Sequence, residues 1–261
     1  MPKITRDPAA SASPAAVLPL PNGLKLALRS SQQRGCAKFI MNEVFRGGSY
    51  RRAGFELRPT DTVVDVGGNF GLFALWAAPQ VSRVVSIEPT NVVECLQESL
   101  RLNAIENVNV VRCAISDQPG TLELMEYPGF TAVTHAAEFQ PSRWGQRLIK
   151  LFLRKDQEPP VKVVCPCRTL EDVLGSQGIE QVDFLKVDCE GAEYGLFDSV
   201  SDATLSRVSR IALEFHEIHP SHDYRRIVKR LEAAGYEVTI DRSLFERFFL
   251  QTGMLWARRA A

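Results

Sequence analysis

The 261-residue sequence predicts an α/β fold, with a mostly parallel sheet and a C-terminal antiparallel hairpin. Three observations carry this. From residue 61 onward, β-branched runs alternate with helix-period segments in the order β-α-β-α-β, which calls for parallel strands joined by right-handed crossovers. Several of the strand runs end in an acid: Asp65, Glu88, Asp188, and Glu214 with His216. A glycine turn, Gly67-Gly68-Asn69-Phe70-Gly71, follows the first of these strands.

Residues 1–21 are rich in Ala, Ser and Pro and are expected to form a flexible N-terminal arm. A cover segment over 22–60 comes next. In it, 24–28 alternates like a strand, 32–45 has a helical pattern closed by Gly47-Gly48, and 50–57 is a second short element. The main domain is expected over 61–261. It opens with the β-branched run 62–66, a buried strand. Residues 70–78 then form a buried helix stopped near Pro79. A second strand, 83–88, is halted by Pro89. Val93, Leu96 and Leu100 lie at helical spacing within 91–104, and 108–113 is a third strand.

The pattern then breaks. Residues 121–126 alternate and 162–167 are β-branched. Between them, 127–160 is irregular and proline-rich, an insertion expected to serve as a substrate lid. Trp144, Leu148, Leu151 and Phe152 fall on one helical face there. Arg143, Arg147, Lys150, Arg154 and Lys155 add only positive charge. This basic helix, 143–155, is read as covering the cofactor domain or as meeting an acidic or lipid-linked substrate. The sheet resumes at 182–188 and 210–216. Tyr224, Ile227, Val228 and Leu231 mark a helix capped by Gly235. Residues 236–240 and 253–258 close the chain as a hairpin.

Lys and Arg total 31, matched by 31 Asp and Glu, so the net charge is zero. That balance speaks against bulk nucleic-acid binding. No run reaches the roughly 20 apolar residues of a membrane span, so no stable membrane insertion is expected. The polar start, Met1 to Pro8, lacks the apolar stretch of a signal peptide, and a cytoplasmic location is expected. Cys36, Cys95, Cys113 and Cys189 stand alone among apolar neighbours. Cys165 and Cys167 have no second pair at zinc spacing. All six are read as buried, reduced thiols.

Ligands of open α/β sheets bind at the carboxyl ends of the strands. Glu88 lies 21 residues after Gly67, where a carboxylate accepts both hydroxyls of a ribose. The turn is not Gly-x-Gly-x-x-Gly, and no phosphate-cradling Gly-Lys-Ser/Thr is present. A nucleoside without a pyrophosphate suits it better than a dinucleotide. His216 is suited to act as a general base near neutral pH. Asp188 is the other candidate, with Glu190 or Glu214 orienting either one. A strand-end histidine satisfied by a backbone carbonyl is the plain alternative for His216. His219 and His222 are read as surface residues, and His135 falls in the insertion. Glu193 is read as a first-turn acid complementing a helix dipole. The spacing of Asp188, Glu190, Glu214 and His216 permits an oxygen-rich divalent-cation site without requiring one, and no metal is expected.

Together these residues resemble the FkbM family of class I S-adenosylmethionine-dependent methyltransferases. The resemblance covers about 55–258. It rests on Val64-Asp65-Val66-Gly67-Gly68-Asn69-Phe70-Gly71, on Ile87-Glu88-Pro89, and on 107–117. It rests further on Leu185-Lys186-Val187-Asp188-Cys189-Glu190-Gly191-Ala192-Glu193, the most specific stretch, and on Glu214-Phe215-His216. Gly68 stands where the family often has Ala, and 127–160 matches nothing specific. The resemblance implies a Rossmann-like, seven-stranded, mostly parallel sheet and S-adenosylmethionine as cofactor. It implies that Asp65, Gly67, Asn69 and Gly71 hold the methionine end, that Glu88 binds the ribose, and that Ala114, Ser116 and Asp117 border the adenine. Asp188 would stand between cofactor and acceptor, with His216 and Glu190 completing the catalytic set. The expected reaction is O-methylation of a hydroxyl (or carboxylate) of a small molecule, a sugar or secondary metabolite. The expected partner is that acceptor, with self-association into a homo-oligomer left open. The rival readings are an NAD-dependent Rossmann oxidoreductase and a non-catalytic cofactor-binding partner subunit.

Overall fold

The computed structural model describes residues 14–126, 135–136, 161–217, 219–243 and 251–260. Ala16–Pro19 (β1) and Lys25–Leu28 (β2) pair antiparallel. Part of the expected arm is therefore ordered. Leu18 and Leu20 are buried, so the apolar alternation after the Ala/Ser/Pro stretch overrides the composition. Residues 1–13 of the arm lie outside the described residues. Helix α1, Arg34–Met41, runs into a π-helical turn over Asn42–Gly47 and ends at Gly48, whose φ of +69° is left-handed. No regular element follows over 50–57, contrary to the sequence reading. Tyr50 and Phe55 are nonetheless buried, so this coil is fixed by packing rather than by backbone pairing.

Thr62–Val66 (β3) leads to α2, Leu72–Ala77, and Arg83–Ile87 (β4) leads to α3, Val93–Leu102. Val108–Val111 (β5) follows. Ala114–Ile115 (β6), Gly120–Glu126 (β7), His135–Ala136 (β8) and Val161–Arg168 (β9) form a separate sheet of order β6-β9-β7-β8. The two runs flanking the insertion thus pair antiparallel with each other, Thr121 opposite Pro166 and Met125 opposite Lys162. The remaining insertion residues and the basic stretch 143–155 lie outside the described residues. A helix the sequence reading did not anticipate, Leu170–Ser176, opens with a capping box between Thr169 and Asp172.

Phe184–Val187 (β10), Arg210–His216 (β11), Tyr236–Asp241 (β12) and Thr252–Arg259 (β13) complete a seven-stranded sheet of order β12-β13-β11-β10-β3-β4-β5. Strands β11, β10, β3, β4 and β5 run parallel, and β13 is antiparallel to both its neighbours. The C-terminal hairpin is as expected, with its second strand on the inside. Val63, Val64, Leu185, Ile211 and Leu213 are fully buried because helices cover both faces of the sheet. One face packs on α2, α3 and the N-terminal segment. The other packs on Leu170–Ser176, Glu193–Ser199 and Tyr224–Ala233. The N-terminal segment is tied down by side-chain bonds: Ala27 N donates to Ser99 Oγ at 2.8 Å and Asn103 Nδ2 donates to Lys25 O at 2.7 Å. No helix among the described residues is long and apolar enough to cross a membrane. None of the six cysteines is in a disulfide; five are buried and Cys189 is half-buried.

Candidate active site

The site forms where β3, β4, β10 and β11 end. Gly67 N and Gly68 N both donate to Ile87 O, at 3.0 and 2.9 Å, which bends the chain over the end of β4. Gly67, Asn69 and Gly71 all have positive φ, 78°, 48° and 82°. A Cβ on Gly67 would run into the Asp188 carbonyl oxygen, and one on Gly71 into Leu96. The glycines are thus required first by the close approach of β10 and α3. Gly67→Ala combines that clash with left-handed strain of about 1–3 kcal/mol. It is expected to yield little folded protein, read as a lost cooperative melt by circular dichroism.

Glu88 braces this turn. Its Oε2 accepts from Asn69 N at 2.8 Å, and its Oε1 accepts from Thr90 N at 2.9 Å and Thr90 Oγ1 at 2.6 Å. Burial pushes its pKa up, against the lowering effect of those hydrogen bonds. Oε2 carries one bond in this arrangement, so it keeps acceptor capacity.

Asp65 has a different place from the one the resemblance implied. It is fully buried beneath the turn, accepting from Ser86 Oγ at 2.8 Å and paired with Lys186 Nζ at 3.1 Å. A carboxylate so enclosed holds the turn rather than a ligand. Lys186 Nζ also donates to Gly67 O at 2.6 Å and lies 3.6 Å from Asp188 Oδ2. Burial alone would lower the Lys186 pKa, but Asp65 and Asp188 outweigh it and hold the ammonium above its ordinary value.

Asp188, half-buried, accepts from Tyr50 Oη at 3.1 Å, so the N-terminal segment reaches the site. The His216 imidazole bonds no backbone carbonyl among the described residues. Its Nδ1 meets Glu193 Oε1 at 2.9 Å, and its Nε2 lies 3.6 Å from Glu190 Oε2. Glu193 is fully buried and also accepts from Cys189 N at 3.1 Å and Gly191 N at 2.8 Å. It fixes the turn after β10 and the imidazole at once, a larger task than dipole complementation. Burial opposes protonation of His216, but Glu190, Glu193 and Glu214 raise its pKa well above the ordinary value. Burial pushes Glu190 and Glu214 up to about 8, countered by His216 and reinforced by Asp188.

Ala114, Ser116 and Asp117 lie beyond β5, the strand next to β4. Ala114 is buried, while Ser116 Oγ donates to the exposed Asp117 Oδ1 at 3.0 Å. His219 is exposed, as expected. His222 is not: it is buried and stacks on Tyr194 with ring centroids 4.3 Å apart. Tyr50, Lys186 and Glu193 are the site residues that the sequence reading left without a site role.

A parallel sheet with its order reversing beside β3, a glycine turn and acid at that reversal, and an antiparallel β13 set between β11 and β12 define a Rossmann-like class I methyltransferase fold. Residues 65–238 match the family described as the methyltransferase FkbM domain, and the chain belongs to that family. Similar proteins include the 31-O-demethyl-FK506 methyltransferase FkbM of Streptomyces tacrolimicus, 29% identical over 86% of this chain and 90% of that protein. Methyltransferase sdnD of Sordaria araneosa is 30% identical over 85% of this chain and 90% of its own length. The AMB antimetabolite synthetase AmbE of Pseudomonas aeruginosa is 27% identical over 85% of this chain, and the match spans 11% of AmbE.

Proposed function

We propose that this chain transfers a methyl group from S-adenosylmethionine to an oxygen of a small molecule, a hydroxyl (or carboxylate) on a sugar or secondary metabolite. The observation that carries the reading is Glu88: a buried acid at the end of β4, braced to the glycine turn, with Oε2 still able to accept. Those residues fit the donor. A ribose hydroxyl suits the free acceptor site of Glu88 at the end of β4. Asp188 complements the positive charge of a sulfonium and an amino group. That charge would in turn favour ionisation of Glu190 and Glu214, which burial pushes up to about 8. Ala114, Ser116 and Asp117 are assigned to the adenine border. The name of the Streptomyces relative specifies the 31-O position of FK506, which favours an oxygen acceptor here.

When bound, the donor supplies a methyl group already activated for in-line displacement. The chain's task is then to hold the acceptor oxygen in line and take its proton. Asp188 is the base and His216 has a positioning role, since burial is outweighed by Glu190, Glu193 and Glu214, which hold the imidazole pKa well above the ordinary value. Asp188 and His216, at the ends of β10 and β11, stand on the acceptor side, with Glu190 Oε2 3.6 Å from His216 Nε2. His216→Ala is expected to lower turnover roughly 10²–10⁴-fold while leaving donor affinity within about twofold. Equal loss of donor binding would move His216 off the acceptor side. The reading itself is tested by a mass-shift screen: wild-type chain, labelled donor, and panels of hydroxylated and carboxylated acceptors. A labelled methyl on an acceptor oxygen is the expected product; methylation confined to nitrogen acceptors would overturn the oxygen assignment.

A further inference from the structure

Asp188, Glu190 and His216 each bring one donor atom to within 4.8 Å of the others, two carboxylate oxygens and one imidazole nitrogen. Donor atoms of a single ion stand no further apart than twice a metal–ligand distance, about 4–5 Å for hard divalent cations. The imidazole sets this trio apart from an ordinary acidic surface. The His216 side chain is 7% exposed, and its Nδ1 is taken by Glu193. Its Nε2 points into the trio, 3.6 Å from Glu190 Oε2, and makes no hydrogen bond among the described residues. A carboxylate behind the far nitrogen is how metal-bound histidines are oriented and kept basic. Glu193 is itself held by Cys189 N and Gly191 N, so the ring stays fixed.

The carboxylates are arranged to match. Tyr50 Oη and Lys186 Nζ both address Asp188 Oδ2, which leaves Oδ1 outside those contacts. Glu190 has a φ of 52°, a left-handed conformation that a glutamate adopts when its surroundings impose it.

We propose that Asp188, Glu190 and His216 bind one divalent cation of the Mn2+ or Mg2+ kind, with its remaining positions open to water and to the acceptor oxygen. Two hard oxygens select Mg2+, Ca2+ or Mn2+, and the imidazole tips the choice toward Mn2+. The ion relieves the crowding of Asp188 and Glu190 with Glu214, which lies within electrostatic reach of both. An oxygen bound to it loses its proton more readily. Acceptor coordination rests on the methyl-transfer reading; cation binding does not.

The experiment uses the full chain, stripped with chelator and titrated with Mn2+, following the paramagnetic resonance of the free ion. One Mn2+ per chain is expected. Glu193→Gln keeps the shape behind His216 but removes the charge, and should weaken uptake roughly 10–100-fold. Glu190→Gln, at a side chain 30% exposed, is the variant least prone to misfold and should weaken uptake at least about tenfold. Circular dichroism checks the fold of each. No uptake by folded wild type at millimolar Mn2+, or uptake unchanged in folded Glu190→Gln, overturns the site. Donor binding without Mn2+ uptake sinks the cation site alone. Mn2+ uptake without donor binding sinks the methyl-transfer reading alone.

Discussion

Lys186→Met is expected to cost about 3–5 kcal/mol of stability, because it leaves an uncompensated charge in the interior. The Lys186 ammonium is 3% exposed and stands between Asp65, which has no exposure, and Asp188. Methionine fills much of the same volume, so the loss is electrostatic rather than a cavity. Asp65 would keep only the Ser86 hydroxyl as partner. A loss of this size lowers the melting temperature by on the order of 10 °C in a domain of this length. Asp65→Asn in the same chain removes the stranded charge and should recover part of the loss, so the two changes will not add. Melting curves of both single variants and the double variant read this directly. A Lys186→Met melt within about 2 °C of wild type would mean that the buried ion pair does not hold the turn.

Glu88→Ala is expected to weaken S-adenosylmethionine binding roughly 10²-fold or more. A hydrogen bond to a charged acceptor contributes about 1.5–3 kcal/mol, and the free acceptor site on Oε2 is at stake for a ribose hydroxyl. The substitution also strips the acceptor from Asn69 N and from Thr90, so the turn loses its brace on the side facing the donor. Thr90→Val separates the two effects. It removes the 2.6 Å hydroxyl bond but leaves the acid, and should cost less than about tenfold in affinity. Titration calorimetry gives the affinities, and circular dichroism shows whether each variant is folded. Comparable losses in Glu88→Ala and Thr90→Val would place Glu88 in the brace rather than at the ribose.

The strand ends were legible in the sequence because their signals are local. Residues 62–66 form a β-branched run broken by Gly67, and 83–87 a run stopped at Pro89, so Asp65 and Glu88 are marked as ends. What each acid does there was not local. Asp65 and Glu88 look alike in sequence, but the register of β3 against β10 sets Lys186 opposite Asp65 and turns that acid into an interior partner. Lys186 in an apolar run gives no sign that it is buried. Tyr50 lies 138 residues from Asp188, and no periodicity links them. Glu193 shows itself as an early-helix acid, while its bond to His216 depends on β10 and β11 lying side by side. The alternation at 121–126 announced a strand, but its partner lies beyond the insertion, so the second sheet emerged only from the pairing. Leu18 and Leu20 were hidden by the Ala, Ser and Pro residues around them.

The central claim is that the carboxyl ends of β3, β4, β10 and β11 hold a methyl donor. Titration calorimetry of the wild-type chain with S-adenosylmethionine, S-adenosylhomocysteine and NAD in turn tests it most directly. One S-adenosylmethionine or S-adenosylhomocysteine should bind per chain, each losing affinity in Glu88→Ala, with no heat from NAD. A folded chain that binds NAD and neither of the other two would contradict it.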